Sequence, residues 1–398
     1  MLTSTKHVSF ATGLHCSNCH REYSLFAINT YAVCCNQPLV IEYDHSHAFS
    51  KETLPFRQNN IWRYMEMLPV INSKNIVSLG EGMTPVFSLN KLGNRYGFPG
   101  LLMKDESANP TGSFKARGLS VAISKAKELN IKQCIIPTAG NAGGALAAYC
   151  AKAGIKCTVV MPTHTPMIFK QECEMYGARL ILIDGLINDC AKKVMEINRD
   201  NDYFDLSTLK EPYRLEGKKT MGYEIAEQLQ WNLPDVIIYP AGGGTGLIGI
   251  WKAFLEMISM GWITGPLPRM IAVQSSKCAP ILYALKDPHN WKNAFTPAPT
   301  IANGLAVPYP FGMNMMLGVL KESGGTAITV SEEQILDGMK EVAKNEGLLI
   351  SPEGAATWKA FLHLARTKVI SSSEKVLLLN TGTGYKYLEN CNEKIVIN

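Results

Sequence analysis

VIIYPAGGGTGLIGIW (236–251) decides the reading of the fold. An unbroken apolar run, a glycine cluster and a return to apolar residues at helical spacing read as strand, loop and helix in succession. A strand apolar on both faces belongs in a parallel sheet covered by helices. Gly242, Gly243, Gly244 and Gly246, with Thr245 among them, stand where the helix opens. Backbone N–H groups there lack intrahelical partners and can cradle an anion.

Outward from this stretch the same scheme repeats. LLMKD (101–105), CIIP (134–137), CTVVMP (157–162), ARLILID (178–184), MIAVQ (270–274) and KVLLLN (375–380) read as strands, each followed by helical sequence. The helix expected from about Phe114 shows the spacing most clearly, with Leu119, Ala122, Ile123, Ala126 and Leu129 on one stripe. Alternation of this kind predicts an α/β protein with two doubly wound parallel-sheet domains. A length of 398 residues suits two cores better than one. The proline-rich stretch 288–310 has no periodicity and is expected to be a long surface excursion.

Composition removes other classes. With 46% hydrophobic and 18% charged residues the chain buries large apolar faces and is not disordered. The net charge of +5 is scattered, and the adjacent basic pairs Lys192-Lys193 and Lys218-Lys219 make no stripe for nucleic acid. The uncharged run 134–151 is broken by Pro137, Gly140, Asn141, Gly143 and Gly144, so no membrane span is expected. The N-terminal MLTSTKHVSFATGLHC has no apolar leader. The expectation is a cytoplasmic protein whose eleven cysteines are reduced thiols or metal ligands.

Ligands in doubly wound sheets bind beyond the carboxyl ends of the strands. NPTGSFKARG (109–118) places Lys115 in a first helical turn, where the helix dipole favours a neutral amine that can form a Schiff base; an ordinary surface lysine is the alternative. In TAGNAGG (138–144) Asn141 is either a ligand contact or a helix N-cap. NTGTG (380–384) offers the Thr381 hydroxyl. Gly244, Gly246 and Gly249 also satisfy G-x-G-x-x-G, but the following strand ends at Gln274 and Ser275 without the acid a dinucleotide ribose requires. An amine for a carbonyl, an amide for a phenolic oxygen, an anion cradle and a hydroxyl for a ring nitrogen together match pyridoxal phosphate.

With these motifs the sequence resembles the fold type II, tryptophan synthase β-like pyridoxal-phosphate enzymes, and among them the threonine synthase branch, from about Ser78 to Lys386. LGEGMTP (79–85) resembles the opening motif of that branch. The resemblance implies that Lys115 carries the cofactor, Asn141 meets its 3-oxygen, Gly242, Gly243, Gly244, Thr245 and Gly246 hold its phosphate, and Thr381 faces its ring nitrogen. PYRLEGKKT (212–220) is similar to the branch's R-x-E-G-x-K-T, implying that Arg214, with Thr138, holds a substrate phosphate. It also implies an N-terminal extension (1–50), a large domain (51–114 plus 216–398) and a small mobile domain (115–215). The implied activity makes L-threonine and phosphate from O-phospho-L-homoserine and water, in a homodimer or monomer whose partner is a small phosphorylated amino acid.

Two departures bear on substrate: Ala116 stands where many such enzymes have aspartate, and Ala306 where G-L-R-V-P is usual. The rival readings are a β-replacing, cysteate synthase-like enzyme, a threonine or serine ammonia-lyase, and a non-catalytic phosphate binder. G-N-A at 140–142 rather than G-N-H argues against the ammonia-lyase, and Lys115 against the non-catalytic binder. Cys16, Cys19, Cys34 and Cys35 resemble a zinc ribbon short of one ligand, with Ala32 in its place. Adjacent Cys34 and Cys35 are expected to point apart on an extended chain. Structural zinc, with His15 or His20 completing the set, stands beside a metal-free mini-domain.

Overall fold

The structure, a computed structural model, describes residues 9–46 and 49–391. Residues 1–8, on which part of the leader reading rests, lie outside them. The chain forms two compact units. One takes residues up to Met83, Asn109–Trp231 and Ile248–Gly265; the other takes Thr84–Ala108, Asn232–Leu247 and the chain from Pro266.

The first unit opens with β1 (Ala11–Cys16), β2 (Glu22–Tyr23) and β3 (Leu39–Tyr43), an antiparallel sheet in the order β2-β1-β3. The second unit contributes β4 (Val86–Ser88) and β5 (Leu102–Asp105). The first resumes with β6 (Gln133–Pro137), β7 (Lys156–Pro162), β8 (Arg179–Ile183) and β9 (Phe204–Asp205). The second ends with β10 (Val236–Pro240), β11 (Arg269–Ser275), β12 (Thr326–Val330) and β13 (Val376–Asn380).

In the first unit β6 to β9 pair in parallel in the order β8-β7-β6-β9. The chain winds outward from β6 to β8, then returns to place β9 on the other side of β6. Ile135, Val160, Cys190 and Val194 form the core beneath one face. In the second unit the order is β12-β11-β10-β13-β5-β4, parallel except for the antiparallel edge strand β4. Here winding reverses between β10 and β13. Loops leaving β6 and β9, and loops leaving β10 and β13, therefore stand at the two switch points where such sheets bind ligands.

The α/β class expected from the sequence is the one found. The buried strands fall within a residue or so of their expected bounds, because every residue of Val236–Pro240 and Val376–Asn380 is buried. The stretch 288–310 departs from expectation. Its second half tucks inward, with Thr300, Ala302 and Leu305 buried. Glu332 accepts hydrogen bonds from the Thr300 hydroxyl (2.7 Å) and Ile301 N–H (2.8 Å), while Glu353 accepts from Gly304 N–H (2.7 Å). Two carboxylates thus replace the ladder that would have produced a sequence period.

Candidate active site

Two helices of the first unit bring the sequence motifs together. Lys115 is the first residue of the helix Lys115–Glu128, half-buried, with Nζ 4.6 Å from the centroid of the Phe114 ring. The helix Tyr213–Gln228 meets it at glycines. A Cβ at Gly217 would lie 2.2 Å from the Arg117 carbonyl oxygen, and one at Gly118 would lie 2.8 Å from that of Arg214. Both helices can approach this closely only where side chains are missing. A buried bidentate pair then locks them, the Arg117 guanidinium donating to both Glu224 oxygens at 2.5 and 2.6 Å.

This crossing assembles a cationic group. Arg214 is buried; its Nη1 donates to the Leu206 carbonyl just beyond β9, whereas Nε and Nη2 have no hydrogen-bond partner among the described residues. Nε lies 3.9 Å from Glu211 Oε1, too far for a hydrogen bond. The Ser113 hydroxyl, also buried, has no partner either. Glu211 caps the helix through Oε2, accepting from the Tyr213 and Arg214 amides at 2.8 and 3.0 Å. Burial nevertheless pushes its carboxyl up to about 7, against the opposing pull of Arg214, the two amides and Lys218.

The group also contains Lys218, which the sequence offered only as half of a basic pair that makes no stripe. Both lysines are buried, on different faces of the helix. Lys219 faces the Glu216 carboxylate (2.6 Å), the Glu256 carboxylate (3.0 Å) and the Tyr43 ring. Lys218 sits 4.2 Å from the centroid of the same Phe114 ring that Lys115 touches. Burial drives its ammonium well below the ordinary lysine range, with Lys115 and Arg214 pushing the same way and Glu211 opposing. No periodicity revealed this, because Tyr213 through Ala226 are all buried and the helix has no solvated face there.

Thr138 and Asn141 follow β6 at the switch point of the same unit. Gly140, not Asn141, is the N-cap residue, without a side-chain cap bond. The N-cap alternative for Asn141 is thereby corrected: it is the first helical residue, half-buried. The buried Thr138 hydroxyl accepts from the Gly140 N–H at 3.2 Å and holds the loop shape.

In the second unit the glycine loop follows β10 and the helix Thr245–Ser259 begins within it. The backbone itself demands several of its glycines. Gly244 has φ +77°; a Cβ at Gly242 would lie 2.1 Å from the Gly304 carbonyl, and one at Gly246 would lie 2.0 Å from the Tyr239 hydroxyl. Gly249, which completed the dinucleotide pattern, packs on the Lys219 amide. Packing alone thus accounts for G-x-G-x-x-G, and Gln274 spends its oxygen on the Ile281 and Leu282 amides. Thr381 is buried beyond β13. Its loop is anchored by Asn380, which donates to Asp105 (2.7 Å) and accepts from the Ser351 amide (3.1 Å). Ala306 closes the short turn Asn303–Leu305.

The N-terminal sheet carries a separate cluster. The Sγ atoms of Cys16, Cys19, Cys34 and Cys35 lie within 4.8 Å of one another. Cys34 and Cys35 do not diverge as expected, because they sit on a tight turn rather than an extended chain; Ala32 bridges to Gln37, and Asn36 has φ +50°. Burial raises the Cys16 thiol, but the Cys19 and Asn18 amides and the neighbouring thiols outweigh it and bring it down to about 7. His15 Nδ1 lies 3.0 Å from Glu42, and neither histidine joins the cluster.

Among the described residues no helix is long and apolar enough to cross a membrane. Similarity to known proteins extends over almost the whole chain. It is 34% identical to a threonine synthase of Methanocaldococcus jannaschii over 93% of this chain and 92% of that protein. Identity to a threonine synthase of Methanosarcina acetivorans is also 34%, over 96% and 95% of the two chains. Among solved structures, maize serine racemase matches with a TM-score of 0.64 at 22% identity, covering 77% of this chain and 93% of that one. A processed threonine deaminase of Solanum lycopersicum matches with a TM-score of 0.64 at 19% identity, covering 88% and 95%; both likenesses concern the fold. Residues 77–382 match the profile of one family, and on that match the chain belongs to the pyridoxal-phosphate dependent enzymes.

Proposed function

We propose that this chain is a threonine synthase, a pyridoxal-phosphate-dependent lyase that converts O-phospho-L-homoserine and water to L-threonine and phosphate. The observation that carries the reading is Arg214, a buried guanidinium with two N–H-bearing nitrogens unpartnered in the unit that bears Lys115. Such a fork suits a phosphate monoester. Near full-length similarity to two threonine synthases supports the same reading.

The residues present fit the cofactor: a half-buried amine at a helix start, a partly exposed amide at another, and a glycine loop at a third. When bound, the cofactor supplies an electron sink for charge developing on substrate carbon. Lys115 would hold it through its ε-amine and is the base placed to take the substrate Cα proton. Asn141 would offer its amide to the cofactor, the backbone amides of 242–246 would hold its phosphate, and Thr381 would offer it an uncharged hydroxyl. Arg214 and Thr138 grip the substrate phosphate and orient it for departure. In this reading 115–215 is the small mobile domain that brings these groups to the substrate. The four cysteines would hold a structural zinc ion.

The deciding assay supplies purified, cofactor-loaded protein with O-phosphohomoserine and follows phosphate and threonine together. Equal release of both is expected. Phosphate without threonine would transfer the chain to the deaminating lyases, and neither product would overturn the assignment.

A further inference from the structure

We propose that Lys218 is a second phosphate-recognising cation, completing with Arg214 a seat for the dianionic ester of the substrate and so determining specificity. The inference rests on the reading above and deepens it.

Three observations carry it. Lys218 and Arg214 are one turn apart on one helix, so their side chains share a face. Lys218 and Lys115 touch the same Phe114 ring, at 4.2 and 4.6 Å, which sets Lys218 beside the amine that must reach the substrate. Arg214 Nε, Arg214 Nη2 and Ser113 Oγ are buried donors with no hydrogen-bond partner among the described residues. Lys219, the next residue, points elsewhere, into a buried ion-pair network with Glu216 and Glu256.

The donor set then selects the ligand. Lys218 and Arg214 are buried beside Glu211, whose carboxyl burial favours in its neutral form. A buried guanidinium with unpartnered N–H groups is costly until an acceptor joins it. A phosphate monoester carries close to two negative charges at neutral pH and offers three acceptor oxygens, enough for the guanidinium fork, the ammonium and the Ser113 hydroxyl. A carboxylate offers the same donors one charge and only two acceptor oxygens.

The test measures binding of labelled inorganic phosphate to the cofactor-loaded enzyme, where the cofactor's own phosphate already fills its cradle. Wild type is compared with Lys218→Gln, Lys218→Met and Lys218→Arg, and cofactor absorbance reports that each is folded and loaded. The expected result is a phosphate Kd raised about tenfold or more in the Gln and Met variants, since a buried charge contact is lost. Lys218→Arg should keep most of the affinity. KM for O-phosphohomoserine should rise in parallel, with kcat moving much less. A phosphate Kd unchanged in both neutral variants would overturn the inference even if threonine is made. Weakened phosphate binding without any turnover of O-phosphohomoserine would instead overturn the substrate reading and leave the seat standing.

Discussion

Glu211 shows how one side chain can serve packing and still charge the structure for it. Its carboxylate caps two amides, yet it is wholly buried and its carboxyl is raised from the usual 4.5 to about 7. Between those values the unfolded chain has released the proton while the folded chain keeps it. Its contribution to stability is therefore largest below about 4.5 and is lost as pH rises toward about 7. A Glu211→Gln variant, neutral throughout, should gain on wild type over that window by roughly 2–3 kcal/mol at most. Denaturant midpoints of both proteins at pH 5 and pH 7 check this; a constant gap would refute it. Lys115 was legible at this scale because it follows turn formers at a helix start. The burial of Lys218 and Ser113 was not, since it depends on what packs against them from another helix.

The crossing of Lys115–Glu128 with Tyr213–Gln228 is the element on which the cationic group depends. Gly217→Ala pushes a methyl into the Arg117 carbonyl, 2.2 Å away, and the helices must part. Overpacking of this kind costs about 1–3 kcal/mol. Thermal unfolding should register that loss, and KM for the substrate should rise because Arg214 and Lys218 move with their helix. An unaltered melting temperature would show that the helices have slack. Strands were easier to read than this crossing. β10 and β13 are apolar end to end, whereas β12 is half-buried at an edge, β9 has two residues, and β4 pairs antiparallel at the other edge. None of these three carries a period long enough to stand out. The loops were placed correctly after their strands, but the glycines of 242–249 turned out to answer to Gly304, Tyr239 and Lys219 as well as to any anion. Their number was weaker evidence for a cradle than the sequence suggested.

For the molecule as a whole, the N-terminal sheet is the part whose role composition left open. If its four thiols hold zinc, metal analysis of wild type should give about one ion per chain, and Cys16→Ser should lose most of it with a lower melting temperature. Unchanged zinc in the variant would exclude Cys16 as a ligand. The sheet is also fastened to the helix of Arg214. The Tyr43 hydroxyl donates to Glu216 at 2.8 Å, and Lys252 donates both to the Ile41 carbonyl (2.7 Å) and to that carboxylate. Glu216 is buried, as is Lys219 beneath the Tyr43 ring. Trimming the chain back to the family-matched region would thus strip the roof from a sealed cluster of acids and bases and let water flood it. What resembles a detachable appendage is a lid screwed onto the electrostatics of the catalytic scaffold, and a shortened version would have to be redesigned underneath, not merely cut.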